Sequence, residues 1–129
     1  MKILLDTNAY SGLLSGSQVV LDALAKAELV FVSVIVLGEL YAGFKGGSKE
    51  FENKKLLELF LGKSTVQVIN VTEETADIFG TIKNILKNAG TPLPVNDIWI
   101  AAHAMEFGAN LLSFDKHFRQ IPGLRLLGL

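Results

Sequence analysis

Two acidic residues, Asp6 and Asp115, stand at the ends of short aliphatic runs, residues 2–5 and 110–114. Such runs read as buried strands. In an open α/β sheet functional groups gather beyond the carboxyl ends of the strands, so the two carboxylates are expected at one edge. Asp97 falls in the first turn of an expected helix over 96–107, where free amide N–H groups and the helix dipole favour the ionised form. Taken alone, it reads equally as a helix-capping aspartate. Glu39 is surrounded in sequence by Val34, Ile35, Val36, Leu37, Leu40, Tyr41 and Phe44. That helix, 34–44, is apolar on almost every side and is expected to be mostly buried. Its carboxylate then needs a cation, a hydrogen-bond network or a proton, and a buried salt bridge to a lysine or arginine would serve as well as a metal.

Brought together, the four acids repel strongly: two like charges ~5 Å apart at an effective dielectric of ~20 cost about 3 kcal/mol. Two divalent cations would cancel four carboxylates. All-oxygen ligands suit Mg²⁺ or Mn²⁺, which keep part of their water and share phosphate oxygens with a substrate. Metal pairs of this kind stabilise the attacking and leaving oxygens of phosphodiester displacement, which is nuclease chemistry. The chain has no cysteine. It can form no disulfide or thiolate metal site, which fits a reducing compartment. Nor does a Ser/His or Cys/His arrangement accompany the acids, which excludes a covalent enzyme intermediate of that type. The formal net charge of −1 supplies no global attraction to nucleic acid, so any RNA binding must arise locally.

The elements that must position these residues follow from periodicity and punctuation. After the strand over 2–5, Asp6, Thr7 and Asn8 are expected in a loop. A helix over 17–27 and a strand over 29–32 follow, with Ser33 a good cap for the helix over 34–44, which ends at Gly46 and Gly47. A second helix spans 48–61, then a strand 65–71. Thr72 with Glu73 and Glu74 starts a helix that runs to the stop at Asn88, Ala89 and Gly90. Residues 91–94 form a loop, Gly108 stops the helix over 96–107, and 110–114, 115–120 and 124–127 read as strand, short helical turn and last strand. Strands alternating with helices imply a three-layer α/β/α sandwich around a short-stranded, mostly parallel central sheet. At 129 residues the chain is expected to be one domain, 1–129.

Four segments in this order, ILLDTNAY at residue 3, GELYAG at 38, NDIWIAAHA at 96 and LLSFDKHF at 111, resemble the PIN-domain ribonucleases. The likeness is closest to the VapC toxins of bacterial and archaeal toxin–antitoxin pairs, and it spans nearly the whole chain. The resemblance implies a PIN-like fold, endoribonuclease activity with Mg²⁺ or Mn²⁺, and hydrolysis by in-line attack of water that leaves 5′-phosphate and 3′-hydroxyl ends. It makes Asp6, Glu39 and Asp97 the principal acids, Asp115 the fourth, and Thr7, Asn8, Asn96 and Ser113 supporting residues. Thr7 and Ser113 carry hydroxyls that can orient a carboxylate or a water, and Asn8 and Asn96 can donate hydrogen bonds, although local turn and cap chemistry explains the two asparagines equally. Ser113 stands where many relatives carry threonine, which keeps the hydroxyl. The resemblance also implies a homodimer and a cognate antitoxin whose tail covers a hydrophobic groove.

Lys116 and Arg119 beside the site, and Lys45, Lys49, Lys54 and Lys55 as a second set, are candidate phosphate contacts. His117, two residues after Asp115, is a candidate contact to substrate phosphate but reads better as a surface histidine, and His103 is expected in a structural role. Tyr41, Phe44, Phe51, Leu57 and Phe60 supply more apolar side chains than one small core obviously needs, which suits a partner surface or ordinary packing. No membrane segment is expected: the most apolar stretch, 29–44, contains Glu39 and falls short of the ~20 apolar residues of a spanning helix. Only three aliphatic residues follow Lys2, too few for a secretory segment, so the chain is expected to be cytoplasmic. Two rivals differ in chemistry. An aspartyl-phosphate enzyme using Asp6 would call for a second aspartate where Asn8 stands and gives Glu39 no role. A catalytically silent PIN module that binds RNA or protein fits poorly with retention of all four acids.

Overall fold

The aliphatic runs pair side by side in the computed structural model, which describes residues 1–128. The elements are β1 (Lys2–Leu5), α1 (Thr7–Leu14), α2 (Gln18–Ala25), β2 (Leu29–Ser33), α3 (Val34–Gly46), α4 (Glu50–Leu61), β3 (Val66–Ile69), α5 (Glu73–Ala89), α6 (Val95–Phe107), β4 (Asn110–Ser113), a 3-10 turn (Lys116–Gln120) and β5 (Leu126–Gly128). The five strands lie in the order β3-β2-β1-β4-β5, and every neighbouring pair is parallel. Leu5 is in register with Leu112, which sets the ends of β1 and β4 together. Consecutive residues Ile3, Leu4 and Leu5 are all fully buried. Successive strand side chains point to opposite faces, so both faces of the sheet are covered, as a parallel sheet requires. This is the α/β/α sandwich expected from the alternation of elements.

From β1 the chain first builds outward through β2 and β3, then crosses back to place β4 on the other side of β1. The strand order therefore reverses between β1 and β4. A crevice opens at such a switch point beyond the carboxyl ends of the two strands, and Asp6 and Asp115 stand there.

Two expectations need correction. Thr7 and Asn8 open α1 rather than standing in a loop, and Asp6 is its N-cap, its side chain accepting from the Ala9 N–H. Helix α3 is not mostly buried: Val36, Leu40 and Phe44, one turn apart, face the core, while Gly38, Ala42 and Gly43 are exposed. A stripe of that spacing is what packs a helix on a sheet.

Polar links fix the helices around the site. Ser33 Oγ accepts from the Ile35 N–H at 3.0 Å and lies 2.9 Å from His103 Nδ1. His103 Nε2 lies 3.1 Å from the Asn70 carbonyl. A carbonyl only accepts, so Nε2 carries the proton and Nδ1 accepts from the serine hydroxyl. The ring is fully buried, and burial pushes its pKa down, which keeps it neutral. His103 is thus structural, joining α6 to the ends of β2 and β3. Thr72 and Thr75 form a reciprocal cap on α5, and Thr75 Oγ1 donates to Glu106 of α6 at 2.6 Å. The expected stops at Gly90 and Gly108 both adopt left-handed φ, 69° and 63°, a conformation that favours glycine.

The apolar residues of α3 and α4 divide. Phe44, Leu57 and Phe60 belong to the core, Tyr41 is half-buried, and Phe51 is 72% exposed. Leu59 beside them is 71% exposed. None of the helices among the described residues is long and apolar enough to cross a membrane.

Candidate active site

Asp6 is positioned twice over, by the end of β1 and by its role as cap of α1. One carboxylate oxygen accepts from the Ala9 N–H at 2.7 Å, and the other accepts from the Ser113 hydroxyl at the end of β4. Ser113 Oγ also accepts from the Asp115 N–H at 2.9 Å, so one hydroxyl ties the first acid to the loop that carries the fourth. Asp115 in turn caps the 3-10 turn, accepting from the His117 N–H at 2.9 Å. Glu39 projects from α3 toward both neighbouring helices. Thr7 Oγ1 at the start of α1 donates to one of its oxygens at 2.5 Å, and Asn96 Nδ2 at the start of α6 reaches the other at 3.4 Å. Asp97 follows in the first turn of α6.

All four carboxylates, with Thr7 and Asn8, line one cavity of about 190 Å³ whose apolar lining is Ile100 and Phe118. Asp6 is nearly fully buried. Burial raises its pKa; the bonds from Ser113 and Ala9 oppose this, and the charges of Asp115 and Glu39 add to it. Burial first, then Asp115, Glu39 and Asp6, pushes the Asp97 pKa up to about 6, with His117 pulling the other way. The direction is opposite to the one its place in a first helical turn suggests, because desolvation and three like charges outweigh the helix dipole. Asp97 still remains mostly ionised at neutral pH, as expected.

Both structural alternatives read from the sequence lose their basis. The cap of α6 is Pro94 and makes no side-chain bond, so Asp97 does not serve as a helix cap. Among the described residues no lysine or arginine pairs with any of the four acids. The basic side chain beside them is His117, whose Nδ1 lies 2.8 Å from Asp115 Oδ1. This residue is at the surface as expected, 72% exposed, yet it also touches the site. Its place two residues after Asp115 is the signal that marked it as a candidate contact.

Thr7, Asn96 and Ser113 are joined to the acids by hydrogen bonds, and Asn8 lines the cavity. Ile100 and Phe118 were not singled out from sequence. Lys116 and Arg119 line a small cleft with Asp115. Three lysines of the second basic set are engaged locally: Lys45 pairs with Glu50 at 3.1 Å, and Lys54 and Lys55 lie over the rings of Tyr41 and Phe51. Asp6, with both oxygens accepting hydrogen bonds at a buried position, is poorly disposed to be a nucleophile.

A family model described as PIN domain matches residues 3–124. The chain belongs to the PIN-domain family. Among the relatives of this PIN domain, Ribonuclease VapC2 of Rickettsia felis is 33% identical over 107 residues, covering 82% of this chain and 78% of that one. Two solved structures are similar over nearly the full length of both chains. One is VapBC2 from Rickettsia felis bound to a DNA fragment from their promoter, at 29% identity and TM-score 0.88, covering 100% of this chain and 99% of that one. The other is VapBC-1 from nontypeable Haemophilus influenzae, at 28% identity and TM-score 0.86, covering 99% and 98%. The parallel sheet and its flanking helices are therefore those of PIN-fold VapC structures.

Proposed function

We propose that this PIN domain is an endoribonuclease of the VapC type, the toxin of a toxin–antitoxin pair, and that Asp6, Glu39, Asp97 and Asp115 hold the divalent ions its chemistry needs. The observation that carries this reading is the convergence of four carboxylates at the β1/β4 switch point without a lysine or arginine among the described residues to neutralise them.

The donor set suits Mg²⁺ or Mn²⁺. It is all oxygen, and no trio of His, Cys, Asp or Glu among the described residues closes into a ready-made cage. An ion that keeps several waters and takes one or two carboxylates needs no such cage, whereas a closed structural zinc site does. When bound, divalent ions neutralise the carboxylates and the substrate phosphate and lower the pKa of water. The chain's own residues supply the rest. Thr7 and Asn96 fix the Glu39 carboxylate, Ser113 fixes Asp6 and the Asp115 loop, and Lys116 and Arg119 offer charge to the substrate backbone. Asn8 completes the polar lining.

The cognate antitoxin is the expected partner, as in the VapBC structures that this chain resembles. A homodimer is proposed as well, and the exposed Phe51 and Leu59 of α4 are apolar surface suited to a partner. The absence of cysteine agrees with action in the cytoplasm. The deciding experiment incubates the antitoxin-free protein and its Asp6→Asn variant with a mixture of structured RNAs in Mg²⁺, in Mn²⁺ and in EDTA. Cleavage by the unmodified protein alone, stopped by EDTA, is the expected result. Intact RNA in every tube, with RNA bound, would instead mark a silent PIN module.

A further inference from the structure

Between two residues of the acidic site stands a large ring that nothing so far has used. Leu111, Leu112 and Ser113 are buried, but Phe114, the next residue, is 42% exposed. Its backbone is held on both sides: the Ser113 hydroxyl bonds Asp6 and accepts the Asp115 N–H. One edge of the ring rests against α1 at a glycine. A Cβ placed on Gly12 would lie 3.1 Å from Phe114 Cε2 and 3.4 Å from Cζ. The missing side chain is therefore the space that the ring occupies, and the glycine seats one edge while the rest of the ring meets solvent. Lys116 and Arg119 line the cleft that Phe114 shares with Asp115.

We propose that Phe114 is a stacking shelf for an unpaired base of the RNA, next to the phosphodiester that the carboxylates act on; the assignment rests on the ribonuclease reading above. An aromatic face with cations beside it is the combination that holds single-stranded nucleic acid, the cations tracking the backbone and the ring stacking a base. A base inside a duplex has both faces covered, so the shelf selects loops, bulges or single strands. Phe51 on α4 also has a cation over its ring, Lys55, but neither it nor Leu59 lines the acidic cavity or adjoins one of its acids in the chain. Phe114 is thus a substrate-positioning residue rather than part of a protein-binding face.

The test uses single-stranded oligoribonucleotides carrying 2-aminopurine at each position in turn, bound in Mg²⁺ to the Asp6→Asn protein so that cleavage does not intervene. Quenching is expected at one position. Phe114→Leu in that background keeps the apolar contact with Gly12 but removes the π-face, and weakens binding roughly tenfold, while Phe114→Tyr restores it. In the cleavage-competent protein Phe114→Leu raises KM by a similar factor with a smaller fall in kcat. Gly12→Ala, which displaces the ring, shifts KM in the same direction. Cleavage by the unmodified protein with quenching and KM untouched by Phe114→Leu would overturn the shelf and leave the nuclease reading standing. Quenching that Phe114→Leu abolishes, in a protein that cuts no RNA, would support the shelf and remove the nuclease reading. Neither binding nor cleavage would remove both.

Discussion

Asp97 shows most directly what the acidic site does to its own residues. Its carboxyl is held at about 6, above the ordinary value of 3.8, by burial and by Asp115, Glu39 and Asp6. Since the folded pKa is the higher one, the folded protein binds more protons between the two values, and metal-free stability falls as pH rises from about 4 through 6. Above that window the penalty is fully present. Asp97→Asn removes the charge with little change of volume, so in EDTA at pH 7.5 it raises Tm by a few degrees, on the order of 1 kcal/mol once solvent screening of a half-exposed group is allowed for. The gain shrinks toward pH 4.5. A Tm difference that does not change with pH would show that Asp97 is not crowded by like charge. Saturating Mg²⁺ reverses the order, because the unmodified protein binds the ion more tightly and gains more stability. Asp6→Asn and Asp97→Asn each reduce RNA cleavage to background while the far-ultraviolet circular dichroism stays native. Much of this site was legible beforehand: strand ends pointed to Asp6 and Asp115, and an acid in an apolar helix pointed to Glu39. Glu39 does stand at the acidic site, but it was singled out on a burial that α3 only partly has. The direction of the Asp97 shift was not legible, because sequence displays the local helix dipole but not the three acids brought in from other elements.

At the scale of elements, helix α1 was missed for a physical reason. Its eight residues, TNAYSGLL, give barely two turns in which periodicity can show, and Thr, Asn, Ser and Gly are weak helix formers. The decisive stabiliser is Asp6, which satisfies the Ala9 N–H and was read only as a site residue. One carboxylate here both caps a helix and lines the acidic cavity. His103 was legible only as structural; that it clasps Ser33 and the Asn70 carbonyl needs the register of β2 and β3, which local pattern does not give. The clasp makes a stability prediction. His103→Ala leaves a cavity and removes the ring that bonds the buried Ser33 hydroxyl and the Asn70 carbonyl, and costs about 3 kcal/mol in urea unfolding. The pH dependence has the opposite sign to that of Asp97. Burial depresses the histidine pKa below 6.5, so the unfolded chain binds the extra proton, and the contribution, present above 6.5, is lost as pH falls below it. The stability gap between wild type and His103→Ala therefore narrows in acid, and a gap that is constant from pH 7.5 to 5 would mean that the ring is not held neutral.

For the whole molecule, the order β3-β2-β1-β4-β5 explains how acids 6, 39, 97 and 115 come to share one crevice: the reversal beside β1 sets the two halves of the chain edge to edge. Alternation of strands and helices made the sandwich legible, but not this order, which depends on long-range pairing. The same limit applied to the apolar surface. Excess hydrophobicity on α3 and α4 was readable, yet which side chains face out is decided by how α4 docks. Leu57 and Phe60 point inward while Phe51, Leu56 and Leu59 take the solvent side, so α4 is apolar on two faces, and only one of them is used by the core. A monomer gains nothing from large side chains such as Phe51 and Leu59 exposed to this degree, whereas a partner that covers them gains apolar burial at about 25 cal/mol per Å². The double variant Phe51→Asp/Leu59→Asp separates these uses. Unfolding free energy shifts by less than about 1 kcal/mol, since surface substitutions rarely cost more. RNA cleavage by the isolated protein persists because the acidic site lies elsewhere. Co-purification with the co-expressed antitoxin, or dimerisation measured by light scattering, is lost. If the variant instead unfolds, the two side chains belong to the core; if it stays folded, dimeric and neutralised by its antitoxin, the partner surface is not on α4.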